Sequence, residues 1–225
     1  MKLLFSKAGI ATQILLDSVL VDVGDGTLRD LLAHSCDGEA IDIIAITHGH
    51  YDHVGGLFSL LGYMRMIGRE KPLKILHPGS PVVETIVSDF QTLYTDYIPF
   101  PIQLIPVSDH ETFHFDTITL TSIFVVHAGS TAQGILPSIP ATGYRVTSKK
   151  RTYAVTGDST MCDALIELVS GADFAFIEAT WTAERKMMLT EKYGDIEESM
   201  LSVHLSEEQA HTLGRLAKDY VLIHT

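Results

Sequence analysis

Cysteine is scarce, with only Cys36 and Cys162 in 225 residues. The two form no CxxC pair and no disulfide framework, so a reducing compartment is the simpler reading. Long apolar runs are also missing. No segment approaches the ~20 continuous apolar residues of a membrane span. The apolar stretch within Met1–Lys7 is too short for the core of a signal peptide. Together these absences point to a cytoplasmic protein that does not enter a membrane. Basic residues are few as well: 16 Lys and Arg stand against 28 Asp and Glu, a formal net charge of -12. That excludes a general basic surface for gripping nucleic acid. It does not exclude a nucleic-acid substrate, because bound divalent ions add local positive charge that the count ignores.

A hydrophobic fraction of 46% is ordinary for a chain with a real core. At this length no disulfide staple is needed, and residues 1–225 read as a single domain. Eleven histidines is a high number for the length, and several are clustered.

Short β-like runs alternate with helical ones in both halves. Residues 3–5, 13–16, 19–23, 41–46 and 73–76 read as strands, with Asp17-Ser18 as a hairpin turn. Residues 27–33, 54–67 and 81–94 read as helices, the last with Pro81 in its first turn. In the second half, 102–107, 111–115, 118–126, 143–147, 152–156, 174–177 and 220–223 read as strands. Residues 161–169 and 207–218 read as helices, the latter capped by Ser206. Residues 129–137 read as a loop. This pattern predicts an α/β fold, an αββα four-layer sandwich of two mixed β-sheets flanked by helices.

The chemistry concentrates in Thr47-His48-Gly49-His50-Tyr51-Asp52-His53. Four potential metal ligands fall within six positions, between a buried strand and a helix. In extended backbone, residues two apart point the same way, so His48 and His50 can share one ion. Asp52 and His53 turn toward a second as the helix begins. Imidazole and carboxylate suit zinc, and also manganese or iron.

The motif resembles the His-x-His-x-Asp-His signature of the metallo-β-lactamase superfamily, and the match is complete. Later candidates follow in the family's order, each after a β-run: His127 after 118–126, Asp158 in Thr156-Gly157-Asp158-Ser159, and His224 after 220–223. The resemblance implies a dinuclear site. His48, His50 and His127 would hold one divalent ion, and Asp52, His53 and His224 the other. Asp158 would bridge them, and metal-bound hydroxide would be the nucleophile. Read without the resemblance, His127 suits a satisfied core position and Asp158 suits a helix cap. In the family the last histidine is usually followed by more chain; here it is the penultimate residue.

Three further segments resemble the ribonuclease Z-like phosphodiesterase branch. They are Val21-Asp22-Val23-Gly24-Asp25-Gly26-Thr27, Glu178-Ala179-Thr180, and His204-Leu205-Ser206 with Ala210. The resemblance implies that Asp22 orients a ligand histidine. It implies that His204 binds the scissile phosphate or protonates the leaving oxygen, and that Glu178 positions it. Glu178, His204 and Asp52 are thus the expected catalytic residues. Ester cleavage needs an acid at the departing oxygen, and a carboxylate neighbour would raise the histidine's pKa. Ribonuclease Z proper carries a long tRNA-gripping insertion between its counterparts of His127 and Asp158. The interval here is about thirty residues, which with the charge of -12 argues against tRNA. The expected activity is hydrolysis of a small-molecule or nucleotide phosphodiester, or of a nucleic-acid end. A lactonase, carboxylesterase or thioesterase on the same site is the alternative. Relatives often pair into dimers to complete a substrate cleft, so a homodimer is one arrangement open to this chain, whose oligomeric state the sequence does not fix. His110, His114 and His211 lie outside the ordered pattern and are assigned no chemistry.

Overall fold

The structure is a computed structural model and describes residues 1–131 and 133–225. The chain divides into two compact units, Met1–Val107 and Ser108–Thr225. In the first, six strands lie in chain order: β1 (Lys2–Lys7), β2 (Ala11–Leu16), β3 (Val19–Val21), β4 (Ile43–Ala45), β5 (Leu73–His77) and β6 (Ile102–Pro106). β1 to β3 pair antiparallel, whereas β3 to β6 run parallel. The switch follows from the connections. A tight turn at Asp17, with φ near +53°, joins β2 to β3. The later strands are joined through helices α1 (Thr27–Ala33), α2 (Tyr51–Val54), α3 (Leu57–Met66) and α4 (Pro81–Leu93), the long crossovers that parallel pairing requires.

Helix α4 shows how the sequence builds this unit. Pro81 occupies its start, where the missing N–H costs nothing. Val83, Val87 and Phe90 recur at helical spacing and are buried, each contributing ~1.5–3 kcal/mol on leaving water. They join Leu57, Leu60, Leu61 and Met64 of α3 and Ile44 of β4 in one core.

The second unit contains β7 (Thr112–Phe115), β8 (Ile118–Phe124), β9 (His127–Thr131), β10 (Gly134–Ile139), β11 (Thr142–Ser148), β12 (Arg151–Val155), β13 (Phe174–Glu178) and β14 (Tyr220–Ile223). Its helices are α5 (Asp163–Val169), α6 (Ala183–Tyr193), α7 (Glu197–Leu201) and α8 (Glu207–Gly214). The sheet order is β14-β13-β12-β11-β8-β7, with β9 and β10 paired apart. β12, β13 and β14 are parallel, and the rest antiparallel. Ile123, Ala154, Leu165, Leu168, Ile177 and Leu213 form its core. Among the described residues, no helix is long and apolar enough to cross a membrane.

Several expectations change. The helix read over 54–67 is α3, which starts at Leu57, and Gly55-Gly56 separate it from the short helix α2 that ends at Val54. A side chain at Gly56 would stand 2.4 Å from the Gly24 carbonyl oxygen, and one at Gly24 would stand 2.3 Å from the Asp52 carbonyl oxygen. Backbone thus lies directly on backbone where the histidine-rich segment meets the turn after β3, which only glycine permits. The strand read over 19–23 stops at Val21, because Asp22 adopts a left-handed φ near +58°. The segment read as a loop over 129–137 is instead part of the β9–β10 hairpin, apart from Ala132, which lies outside the described residues. Gly134 at φ near +127° supplies a conformation that other residues rarely adopt. Helix α8 ends at Gly214 rather than at residue 218. Helices α6 and α7 were not anticipated, because α6 buries no residue and so shows little apolar periodicity.

Candidate metal centre

The site residues stand at strand ends, where parallel sheets place ligand-binding groups. In the first unit, His48 and His50 follow β4, and Asp52 and His53 lie on the short helix α2. His48, Asp52 and His53 are buried. Burying so many polar groups is costly unless each is satisfied, and the local network does this.

Asp22 is its centre. One carboxylate oxygen accepts from the Thr47 amide at 2.8 Å. The other accepts from the Thr47 hydroxyl at 2.9 Å and from Nδ1 of His53 at 2.7 Å. A carboxylate can only accept, so Nδ1 of His53 carries the proton and Nε2 carries the lone pair. The Thr47 hydroxyl has spent its proton on Asp22, so it accepts from Nδ1 of His48 at 3.1 Å. Nε2 of His48 is then the basic nitrogen, 3.0 Å from Nδ1 of His50. Two ring nitrogens that close suit a shared ion. Asp52 is anchored by the Gly9 amide at 2.9 Å, and its Oδ2 lies 4.0 Å from Nε2 of His53.

The second unit carries the other candidates. His127 does not end a strand as the sequence suggests; it opens β9. Its Nδ1 donates to the Val203 carbonyl at 2.9 Å, which again leaves Nε2 basic. Asp158 follows Gly157, whose φ is near +60°. It does not cap the following helix, because the cap position of α5 is Cys162. Its oxygens lie 3.4 Å from Nδ1 of His224, 3.8 Å from Nδ1 of His204 and 4.0 Å from Nε2 of His127. Asp158, His204 and His224 present ligand atoms all within 4.8 Å of one another. His224 directly follows β14 with φ near +56°, and its Nδ1 lies 2.8 Å from the Thr180 hydroxyl.

Glu178, the last residue of β13, is wholly buried. It is satisfied by the amides of Ser159, Thr180 and Leu205 at 3.2, 2.8 and 3.0 Å, and by Nδ1 of His204 at 3.1 Å. Burial of the His204 ring opposes its protonation. The charge and hydrogen bond of Glu178, with the charge of Asp158, outweigh this and raise its pKa above the ordinary histidine value, while Arg185 pulls the other way.

Sequence reasoning missed Thr47, Thr180, Ser159 and the Val203 carbonyl as supports. Threonines before a histidine motif and after a strand carry no distinctive pattern, and a carbonyl carries no sequence signal at all. Among the histidines assigned no chemistry, His110 pairs with Asp109 and Glu167 on the surface, His114 is exposed, and His211 meets the Tyr220 hydroxyl at 3.0 Å.

The beta-lactamase superfamily domain matches residues 12–225, so the chain belongs to that superfamily. Ribonuclease Z of Staphylococcus aureus (strain JH9) is 33% identical over 137 residues, 60% of this chain and 41% of the relative. The match thus spans about two fifths of that relative's length. Among solved structures, human tRNase Z, short form, superposes with a TM-score of 0.73 at 22% identity, covering 99% of this chain and 91% of the other. Zinc-bound PqqB from Methylobacterium extorquens gives 0.72 at 15% identity, with 99% and 87% covered. The fold is therefore the expected one, two mixed sheets flanked by helices, and it carries histidine and aspartate groups suited to binding metal ions.

Proposed function

We propose that this chain is a dinuclear metal-dependent phosphodiesterase whose two units act as one domain of the metallo-β-lactamase fold. The superfamily match runs across both units and supports that reading. His48, His50 and His127 would hold one ion, Asp52, His53 and His224 would hold the other, and Asp158 would serve both. Zinc is the first candidate, being the ion bound to PqqB, with manganese and iron as alternatives. The donor set fits such ions, since the Nδ1 atoms of His48, His53 and His127 are committed as donors, which leaves Nε2 of each ring basic. When bound, two divalent ions supply Lewis acidity and an activated water.

The chain's own residues do the rest. Asp22 and Thr47 fix the tautomers of His53 and His48. Val203 does the same for His127. Glu178, held by three backbone amides, keeps His204 oriented through Nδ1 and favours its protonated form. His204 then delivers a proton from Nε2 to the departing oxygen, or binds the phosphate as a cation.

The observation that carries the phosphodiesterase reading is the buried Glu178–His204 pair beside Asp158. The alkoxide leaving a phosphodiester needs such an acid at the departing oxygen. The ribonuclease Z relatives support a substrate with a phosphodiester bond, either a small molecule or a nucleic-acid end. The test is metal analysis of the purified protein with assays on bis(p-nitrophenyl) phosphate, a p-nitrophenyl carboxylic ester and a lactone. About two ions per chain and phosphodiester cleavage are expected. Turnover of the ester or lactone alone would replace this reading with the esterase or lactonase one.

A further inference from the structure

Beside His204 the second unit holds two buried donors with no acceptor. Trp181 is 3% exposed, and its indole Nε1–H has no hydrogen-bond partner among the described residues. Nε of Arg185 is likewise buried and without a partner. Among the described residues, the Arg185 side chain makes no ion pair with any of the 28 acidic residues of a chain whose net charge is -12. Both conditions are costly: a buried donor left unmade costs ~1–3 kcal/mol, more when it belongs to a charged group. Such groups in a folded protein call for a partner that arrives later.

Their placement gives the partner its chemistry. Trp181 pairs through its backbone with the segment that follows His204: its amide donates to Leu205 O at 3.0 Å, and its carbonyl accepts from Glu207 N at 3.3 Å. Arg185 lies one helical turn on, in α6, with its amide bonded to the cap residue Thr182 at 3.2 Å. Its charge is felt at His204. An indole N–H and a guanidinium are donors only, so the group they await accepts hydrogen bonds and carries negative charge.

We propose that Arg185 and Trp181 form an anion subsite beside His204 that takes a second anionic group of the substrate, a phosphate removed from the bond being cleaved. This rests on the phosphodiesterase reading and narrows it to phosphodiesters that carry a further terminal phosphate. The guanidinium offers a planar, two-pronged contact that a lysine would not reproduce. The indole N–H adds a fixed donor that favours an oxygen over an apolar substituent.

Two thymidine dinucleotides joined by an uncharged methylphosphonate linkage, with and without a terminal phosphate, isolate the second anion. Neither is hydrolysed, so their binding can be titrated calorimetrically whatever the catalytic activity. The wild-type protein should bind the phosphorylated ligand about tenfold more tightly, the effect of one charge-assisted contact. Arg185→Ala should abolish the difference, Trp181→Phe should reduce it, and Arg185→Lys should restore only part of it. Arg185 is partly exposed, so its variants should fold, which thermal melting checks. Equal affinity of wild type for both ligands would overturn the proposal, as would a difference that survives in Arg185→Ala. Discrimination between the ligands without any phosphodiesterase activity would leave the subsite standing and sink the catalytic reading instead.

Discussion

The carboxylate of Asp22 lies 2.7 Å from Nδ1 of His53 and also accepts both the amide and the hydroxyl of Thr47. One buried side chain thus sets the tautomer of His53 directly and that of His48 through Thr47. Asp22 achieves this from a left-handed backbone conformation, which aspartate and asparagine tolerate better than most residues.

Asp22→Asn should keep that backbone while removing the charge and one acceptor. Supporting groups of this kind are worth about 10–100-fold in metal affinity. We expect metal retention to fall by that order after dialysis against a competing chelator, while circular dichroism stays native. Wild-type retention in this variant would show that Asp22 serves folding alone.

His204→Ala should lower kcat on a phosphodiester by about a hundredfold or more, the usual scale for losing a general acid, with two ions still bound. Glu178→Gln tests the pair differently. Glu178 raises the pKa of His204, so its neutralisation should let the ring lose its proton at lower pH. If His204 acts as its protonated form, the alkaline limb of the pH–kcat profile should move to lower pH. A profile that keeps its alkaline limb in Glu178→Gln would remove the acid role.

Metal removal should destabilise the fold. An ion that binds only the native state at a hundred times its Kd adds ~2.7 kcal/mol. Thermal melting with and without a chelator should therefore show a lower Tm in the metal-free protein, recovered on adding zinc. The same Tm in both states would argue that the buried histidines and carboxylates are satisfied without metal.

His77, at the end of β5, gives a prediction independent of catalysis. It is buried, and its Nδ1 accepts from the Ser80 amide at 3.0 Å. Burial lowers its pKa below the ordinary histidine value, with Glu84 opposing. The unfolded chain therefore takes up this proton first. The stability tied to neutral His77 is complete above about pH 6.5 and is lost as pH falls toward the folded-state value. His77→Gln keeps an acceptor for Ser80 and cannot titrate. Urea midpoints at pH 7.5 and 5.5 should differ less in this variant than in the wild type; an equal difference would assign the acid sensitivity to other groups.

Much of the fold was legible in the sequence. β5 and α4 were anticipated to within about a residue because their apolar positions recur at strand or helix period. The positions of His48, Asp158 and His224 within three residues of the ends of parallel strands were readable for the same reason. The hairpin after His127 was not, because a glycine- and serine-rich segment with an exposed apolar tip looks like a loop until its backbone finds a partner. Helix α6 escaped because none of its residues is fully buried, and the late start of α3 because a Gly-Gly pair inside an apolar run signals only a weaker helix.

The sequence by itself determined the superfamily and that histidine and aspartate groups suited to metal ions follow several of the strands, since these depend on residue type and on spacing along the chain. Tertiary structure alone decided which ring nitrogen carries each proton, why Gly24 and Gly56 must lack side chains, and that Glu178 meets His204 across 26 residues at 3.1 Å. It alone left Nε1 of Trp181 and Nε of Arg185 without acceptors among the described residues. The reason is physical: hydrogen bonds and close packing are made between atoms that the chain brings together only when folded, and no local pattern encodes their distances.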